Sequence, residues 1–279
     1  DKFEKVSDES MKKYDQDGYY TLNLSEVHSP VVIKSDDLAA AKEYANKVNL
    51  GEIRYSGVRQ PLNFSSLSKT NCKKVEGIPL FADVRGFTSQ FDSDDENLDE
   101  MAQKTQNILQ SMYQVTVGNG GVHIQFQGDR ELSLYHNTVN EFDQTTAGCF
   151  KTAVLAAMRL VDIVKPFNVR IGVGGDFGKL YATKIGARGE KDNILIGKTV
   201  ITADKMEDAY ADEDQIAITR DVYKGLQSED PELAKRFVYK GNIYLTTVGF
   251  KEYQNALLYA QHSSNTKHNN YNGAWGVLL

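Results

Sequence analysis

A short apolar run that ends in an aspartate constrains the fold of this chain more than any other feature. Residues 78–84 read IPLFADV, and Asp83 stands near the end of this run, shortly before Gly86. A continuous apolar run of this length is typical of a strand that is buried on both faces, and the glycine indicates a tight turn after it. The pattern predicts a buried strand that carries a carboxylate at its carboxyl end.

The next residues predict a helix and then a β-hairpin. Apolar side chains recur at helical spacing from Leu98 to Val115, and the glycine-rich stretch 118–121 ends this periodicity. Two alternating segments, VHIQF and ELSLY, then flank QGDR. Because Gly128 and Asp129 tolerate the positive φ of a tight turn, these residues predict a hairpin with Asp129 at its tip.

A second helix and further strands complete the pattern. The helix begins near Phe150 and ends at Lys165-Pro166, and NVRIGVGGD and FGKLYAT then predict another strand pair. A strand at 194–197, a helix at 198–211 and a hairpin around Gly241 follow. The order strand, helix, hairpin, helix, strand is the split βαβ arrangement. We therefore expect an α+β, ferredoxin-like domain with an antiparallel-rich sheet and flanking helices.

The chain divides by pattern into three parts. Residues 1–75 predict an N-terminal extension with one short helix at 36–48, residues 76–250 carry the patterned domain, and residues 251–279 predict a C-terminal tail. The net charge of the chain is −6, so it lacks the basic character of a dedicated nucleic-acid binder. The chain has two cysteines far apart in the sequence, no apolar run long enough to span a membrane and no signal-peptide pattern. We therefore expect a cytoplasmic protein.

Asp83 and Asp129 are the first candidates for chemistry. The first strand and the hairpin are neighbours in a ferredoxin-like sheet, so the two carboxylates can converge on a pair of Mg²⁺ or Mn²⁺ ions. Gly86 lies between the strand and a helix, where backbone N–H groups can approach phosphate oxygens. The alternative is that both are ordinary turn aspartates, and the residues alone leave this open.

Five segments resemble, in the same order, the motifs of class III adenylate and guanylate cyclases. They are FADVRGFTS at 81–89, QFQGDRELSLY at 125–135, VRIGVGGDFGKL at 169–180, IGARGEKDNILIGKTVITADKM at 185–206 and YKGNIYLTTVGF at 239–250. The resemblance implies a class III nucleotide cyclase catalytic domain. Such a domain converts a nucleoside triphosphate to a 3′,5′-cyclic monophosphate and pyrophosphate.

The same resemblance implies roles for particular residues. Two divalent cations, Mg²⁺ or Mn²⁺, would be bound by Asp83, Asp129 and the backbone carbonyl of Val84. The triphosphate would be bound by the turn Gly86, Phe87 and Thr88 and, at its outer phosphates, by Lys240. The family works as a head-to-tail dimer, which implies a homodimer with active sites shared between the chains.

The positions that read the base depart from the family pattern. Gln125 stands where adenylate cyclases have a Lys and guanylate cyclases a Glu, and an amide both donates and accepts hydrogen bonds. Ile194 stands where adenylate cyclases have an Asp, although Asp192 or Asn193 could take that role. Neither purine code is present.

The positions that stabilise the transition state differ as well. The family's Asn aligns with Ile201 and its Arg with Lys205, which supplies charge without a bidentate fork. Arg85 and Arg188 could compensate.

Two explanations fit these departures. In the first, the chain resembles the pyrimidine cyclases of bacterial anti-phage signalling. It would make cyclic CMP or cyclic UMP, and the product would act on a separate cyclic-nucleotide-binding effector. In the second, it is a catalytically inactive dimerisation or regulatory module. An adenylate or guanylate cyclase with an atypical base pocket is a further alternative.

Overall fold

The computed structural model describes residues 19–22, 31–34, 54–57, 62–68, 70–87, 98–139, 146–187 and 190–258. The chain forms two compact units, 1–52 and 53–279. In the first unit, strand β1 (Tyr19–Leu22) pairs antiparallel with strand β2 (Val31–Lys34). The helix predicted at 36–48 and the tail beyond residue 258 lie outside the described residues.

The second unit is built on one long strand. After β3 (Arg54–Gly57), strand β4 runs from Asn71 to Arg85 and contains the predicted strand 78–84. Its residues 77–82 are all buried, as expected of a strand covered on both faces. The early part of β4 pairs with β3. Its later part pairs with residues 130–136 on one side and residues 170–175 on the other.

The split βαβ arrangement predicted from the sequence is confirmed. The sheet order β5–β6–β4–β9 is antiparallel at every step, and two helices connect its strands. The elements that follow β4 are α1 (Leu98–Gly118), β5 (Val122–Gln127), β6 (Arg130–His136), the short strands β7 (Thr138–Val139) and β8 (Thr146–Ala147), α2 (Phe150–Val164) and β9 (Arg170–Gly175).

The remaining elements extend this sheet on the side of β9. They are β10 (Gly178–Ala187), β11 (Glu190–Ile196), α3 (Lys198–Tyr210), β12 (Gln215–Thr219), α4 (Arg220–Glu229), α5 (Pro231–Ala234), β13 (Val238–Lys240), β14 (Ile243–Thr246) and a helix α6 at 250–258. Strand β12 pairs parallel with β9 and antiparallel with β14. The sequence analysis missed β12, α4, α5 and α6.

The predicted pairing of NVRIGVGGD with FGKLYAT is wrong. These segments form β9 and β10, which do not pair with each other. Both pair antiparallel with β4, and Gly175 lies opposite Leu80 while Gly178 lies opposite Gly77. The register is therefore continuous across residues 176–177, and the two strands follow one another along β4 without the reversal that a hairpin requires.

Two apolar clusters cover the two faces of β4. Ile78, Leu80, Ala82 and Val84 lie in the cluster that contains the buried face of α2 and part of α1. Phe81 lies in the second cluster, together with Ala203 of α3. Because side chains alternate along a strand, Asp83 lies on the same side of β4 as Phe81, toward α3.

Residues 62–67 also belong to this unit. Leu62, Phe64 and Leu67 are buried in the second cluster. The backbone N–H of Leu62 donates to Nε2 of His136 at 3.0 Å, and Nδ1 of His136 lies 3.0 Å from the carbonyl oxygen of Asn137. Residues 62–67, which the sequence analysis assigned to the N-terminal extension, therefore pack against the sheet of the second unit.

Glycines on β9 let α3 approach the sheet closely. A Cβ atom at Gly174 would overlap the backbone nitrogen of Glu207, and one at Gly172 would overlap the guanidinium of Arg85. Neither glycine has a positive φ, so the requirement is for space. The distance between α3 and β9 thus depends on the absence of side chains at these two positions.

We expect Gly174→Ala to lower the free energy of unfolding by about 1–3 kcal/mol, because the new methyl group forces α3 off the sheet. Gly175→Ala is the matched control, since its Cβ atom would lie 3.4 Å from the nearest side-chain atom of Ile78. The control should change stability by less than about 1 kcal/mol. Urea unfolding of both variants checks the prediction, and equal losses would contradict it.

The second prediction concerns His136. Burial lowers the pKa of His136 below its ordinary value. The unfolded chain therefore binds a proton more readily than the folded chain, and stability falls as the pH drops through about 6.5. We expect His136→Gln, which keeps an acceptor for Leu62, to lose less stability than the unmodified chain between about pH 7.5 and about pH 5.5. Urea unfolding at both pH values measures this difference, and an unchanged pH dependence would contradict it.

Candidate active site

Asp83 and Asp129 are brought together by the register of β4 and β6. Asp83 lies opposite Arg130, the first residue of β6, and Asp129 directly precedes that residue in the turn. Gly128 adopts a φ of 67°, the left-handed conformation that this turn requires. The strand end and the hairpin tip are therefore neighbours in the sheet, and Asp129 lies close enough to Asp83 for their charges to interact.

The two carboxylates interact electrostatically. Burial is the largest cause that raises the pKa of Asp129 above its ordinary value, and the negative charge of Asp83 is the next. Burial also raises the pKa of Asp83, against the lowering effect of Arg85 and Arg130. Because both carboxylates are disfavoured as anions, a bound cation would relieve the cost of keeping them charged.

This arrangement fits a divalent cation whose ligands are completed by a substrate. Within the described residues, no group of three or more His, Cys, Asp or Glu side chains forms a self-sufficient metal site. Mg²⁺, however, is commonly bound by one or two carboxylates together with substrate phosphates. The side chain of Val84 is buried on the opposite face of β4, in the cluster that contains α2.

Arg85 links Asp83 to the carboxyl end of α3. Its Nη1 donates to Oδ2 of Asp83 at 3.0 Å. Its Nη2 donates to the backbone carbonyl oxygens of Glu207 at 2.9 Å and Ala211 at 2.6 Å. The last turn of α3 contains no basic residue, so Arg85 supplies the positive group that the carbonyls at this end of the helix favour. The candidate Arg85 thus lies beside Asp83 and is held by α3.

Glu207 lies between two arginines. Its Oε1 is 2.5 Å from Nη2 of Arg85, and its Oε2 is 2.6 Å from Nη2 of Arg130. The same Nη2 of Arg130 is 2.6 Å from Asp204, and its guanidinium lies over the ring of Phe81 at 4.3 Å. Burial raises the pKa of Glu207, whereas the two guanidiniums lower it and favour the carboxylate.

Sequence analysis did not find this network. Arg130 directly follows Asp129, but nothing in the local pattern connects it with Asp204 or Glu207 on a helix more than 70 residues later. The available signal was indirect. Asp204 and Glu207 are three positions apart and so share one face of the helix, but the spacing does not tell a buried acidic face from a solvated one.

The candidate base-reading residues lie on β5 and β11, two strands that are not paired with each other in the sheet. A side-chain contact joins them, since Nδ2 of Asn193, on β11, donates to the carbonyl oxygen of Ile124, on β5, at 3.4 Å. Gln125 follows Ile124 and is half-buried, as are Asn193 and Ile194. The structure thus places Asn193 in contact with the residue that precedes Gln125.

Other candidates lie at the surface. Lys205 is exposed on α3, and Lys240 is exposed at the end of β13. Gly86 has a φ of 68°, and Phe87 is half-buried against the core cluster that contains α2. Thr88 and Arg188 lie outside the described residues.

A comparison with known protein families decides which family this arrangement belongs to. Residues 71–258 match the family described as the adenylate and guanylate cyclase catalytic domain. The chain belongs to this family. It therefore contains a class III nucleotide cyclase catalytic domain, and the match begins where β4 begins and extends to residue 258, the last described residue.

One curated relative is a uridylate cyclase of Pseudomonas aeruginosa, which is 26% identical over 193 residues. The alignment covers 63% of this chain and 37% of that protein, so the chain spans well under half of the relative's length.

Solved structures of other cyclases share the fold. A class III adenylyl cyclase-like ATP-binding protein from P. aeruginosa superimposes with a TM-score of 0.64 at 22% identity, over 81% of this chain and 50% of that one. An adenylyl cyclase from P. aeruginosa gives 0.51 at 18% identity, over 63% of this chain and 94% of that one. A dimeric guanylyl cyclase domain from the fungus Blastocladiella emersonii also gives 0.51, at 19% identity and over 63% and 96% of the two chains.

The cyclase domain shows no candidate for a membrane span. Among the helices that the structure describes, none combines the length and the apolar character needed to cross a bilayer.

The third prediction concerns Asp129. We expect Asp129→Asn to raise the unfolding temperature of the cation-free protein, because it removes the repulsion between Asp129 and Asp83. The same variant should lose the stabilisation that Mn²⁺ gives the unmodified chain, because one carboxylate ligand is gone. Thermal unfolding with and without Mn²⁺ measures both effects. Glu252→Gln, an exposed site on α6, is the control and should keep the Mn²⁺ effect.

Proposed function

We propose that this domain is a metal-dependent pyrimidine nucleotide cyclase, which converts CTP or UTP to the 3′,5′-cyclic monophosphate and pyrophosphate. One observation carries the proposal. The paired carboxylates Asp83 and Asp129 are present together with a neutral base-reading set, in which Asn193 contacts the residue that precedes Gln125. The similarity to a uridylate cyclase supports it.

The reaction needs little from the protein beyond placement and charge. The ribose 3′-oxygen forms a bond to the α-phosphorus, while the bond from that phosphorus to the oxygen bridging to the β-phosphate breaks. Two divalent cations, Mg²⁺ or Mn²⁺, held by Asp83, Asp129 and the carbonyl of Val84, would supply activation of the hydroxyl and neutralisation of the triphosphate. Catalysis of this type depends mainly on positioning and charge stabilisation.

The chain's own residues bind the triphosphate. Gly86 and Phe87 directly follow β4, and their backbone N–H groups, with that of Thr88 as the next residue in the sequence, would bind phosphate oxygens. Lys240 pairs with the outer phosphates, and Lys205 and Arg188 supply charge near the leaving group. Arg85 acts beside Asp83, where the structure holds it in contact with the carboxylate.

The base pocket favours neutral recognition. A lysine or glutamate would favour one purine edge strongly, because a charged group that finds no partner in a closed pocket is costly. The amides of Gln125 and Asn193 both donate and accept hydrogen bonds, and both cytosine and uracil present donors and acceptors. Ile194 adds an apolar wall where the adenylate cyclases have a carboxylate.

A homodimer completes each site in this proposal. Lys205, Lys240 and Ile201 all lie exposed in the single chain, and Ile201 is 60% exposed. An apolar side chain of that exposure on a helix beside the site is consistent with a partner that covers it.

The cytoplasmic product would act as a second messenger on a separate cyclic-nucleotide-binding effector in anti-phage defence.

The fourth prediction tests the substrate. The purified chain with Mn²⁺ should convert CTP or UTP, and ATP and GTP should be at least about 10-fold poorer substrates. Product formation is measured by liquid chromatography for each of the four triphosphates. Conversion of ATP or GTP alone would contradict the pyrimidine proposal, and turnover of none by a folded, dimeric chain would favour the regulatory-module alternative.

The fifth prediction tests the shared site. Asp83→Ala and Lys240→Ala should each abolish most activity, since each removes one half of every site. Mixing the two inactive variants should restore about a quarter of the unmodified activity, because half of the dimers are mixed and each contains one intact site. Activity measured after subunit exchange checks this, and a mixture as inactive as its components would place both residues in the same half.

A further inference from the structure

We propose that Glu207 is a positioning residue that keeps Asp83 and Asp129 available to cations, acting through Arg85 and Arg130. The inference rests on the proposed function, since it concerns cations at the same two aspartates. It adds a role for a buried carboxylate that forms ion pairs with these two arginines.

Glu207 reaches both segments that carry the aspartates. Arg85 is two residues after Asp83, and Arg130 directly follows Asp129. Each guanidinium is within 2.6 Å of one oxygen of Glu207, whose exposed fraction is 2%. A single buried charge on α3 therefore fixes an arginine next to each metal-binding aspartate.

These arginines matter because one of them contacts a candidate metal ligand directly. Nη1 of Arg85 is 3.0 Å from Oδ2 of Asp83, so the guanidinium and a cation compete for the same carboxylate. Glu207 and the carbonyls of the last turn of α3 hold the Nη2 side of this guanidinium. Removing the charge of Glu207 would leave the carboxylate of Asp83 as the anion that Arg85 contacts.

The close packing of α3 makes this placement rigid. Gly174 brings the backbone of Glu207 against β9, and Gly172 leaves the space that the guanidinium of Arg85 occupies. Groups that orient metal ligands from behind change the affinity for the metal when they are altered. A carboxylate that merely stabilised the fold would leave cation affinity unchanged in a folded variant.

Asp204 provides the matched control. It lies one turn before Glu207 on α3 and is also 2.6 Å from Nη2 of Arg130, but its side chain is 44% exposed. Asp204→Asn removes the same charge from the same helix, where solvent screens it. It leaves the contact between Glu207 and Arg85 in place.

The experiment titrates the full chain with Mn²⁺ alone and follows the free ion by electron paramagnetic resonance. Glu207→Gln should weaken Mn²⁺ binding by about 10- to 100-fold. Asp204→Asn should weaken it by less than about threefold. Circular dichroism confirms that each variant is folded before the titration.

A second pair of variants tests the competition itself. Arg85→Gln should bind Mn²⁺ at least as tightly as the unmodified chain, because Asp83 loses its competing partner. The double variant Arg85→Gln with Glu207→Gln should recover most of the affinity lost in Glu207→Gln alone. If Glu207→Gln alone does not fold, the double variant and Arg85→Gln should bind Mn²⁺ with equal affinity, because Glu207 acts on Asp83 through Arg85, and weaker binding by the double variant would contradict the inference.

Three results would overturn the inference: a folded Glu207→Gln variant with unmodified affinity, an equal loss in Asp204→Asn, or weaker Mn²⁺ binding in Arg85→Gln. Failure of the proposed function is a different result. In that case the unmodified chain itself neither binds Mn²⁺ nor converts any nucleoside triphosphate.

Discussion

The close approach of α3 to the glycine face of β9 determines the surroundings of both aspartates. Gly172 and Gly174 leave room for a guanidinium and for a helix backbone where side chains would otherwise stand. Because α3 sits this close, Glu207 can be buried between Arg85 and Arg130 without leaving an unpaired charge in the interior. The close packing of α3 against β9 and the ion pairs of Glu207 with two arginines thus together determine the edge of the sheet that carries Asp83.

The parts of the fold that depend on local pattern could be predicted from the sequence. The apolar run before Asp83, the alternation around Gly128 and the helical spacing after Leu98 each report a neighbour close in sequence, and all three elements formed as expected. The relation of β9 to β10 could not be predicted this way, because the partner that both strands share is β4, about 100 residues earlier. Non-local pairing leaves no trace in the spacing of a single segment.

The same limit explains which site residues were missed. Asp83 and Asp129 could be named as candidates because one stands near the end of a strand and the other at a hairpin tip, each beside a turn signal. The strand and the hairpin are neighbours in the predicted topology. The sequence shows that residue 207, on α3, is acidic. It does not show that this carboxylate is buried, because its burial depends on two arginines from β4 and β6. Only the assembled sheet brings these three side chains together. No single motif in the sequence therefore shows that one buried carboxylate is paired with two arginines.

The segment 62–67 bears on how this domain could be separated from the rest of the chain. Leu62, Phe64 and Leu67 fill the cluster that contains Phe81, and β4 starts at Asn71. A fragment that began at residue 76 would lose the strand's first third, the hydrogen bond to His136 and three interior side chains. Excision near residue 53, where the second unit begins, would instead keep β3, the hydrophobic layer and the whole strand that carries Asp83 together.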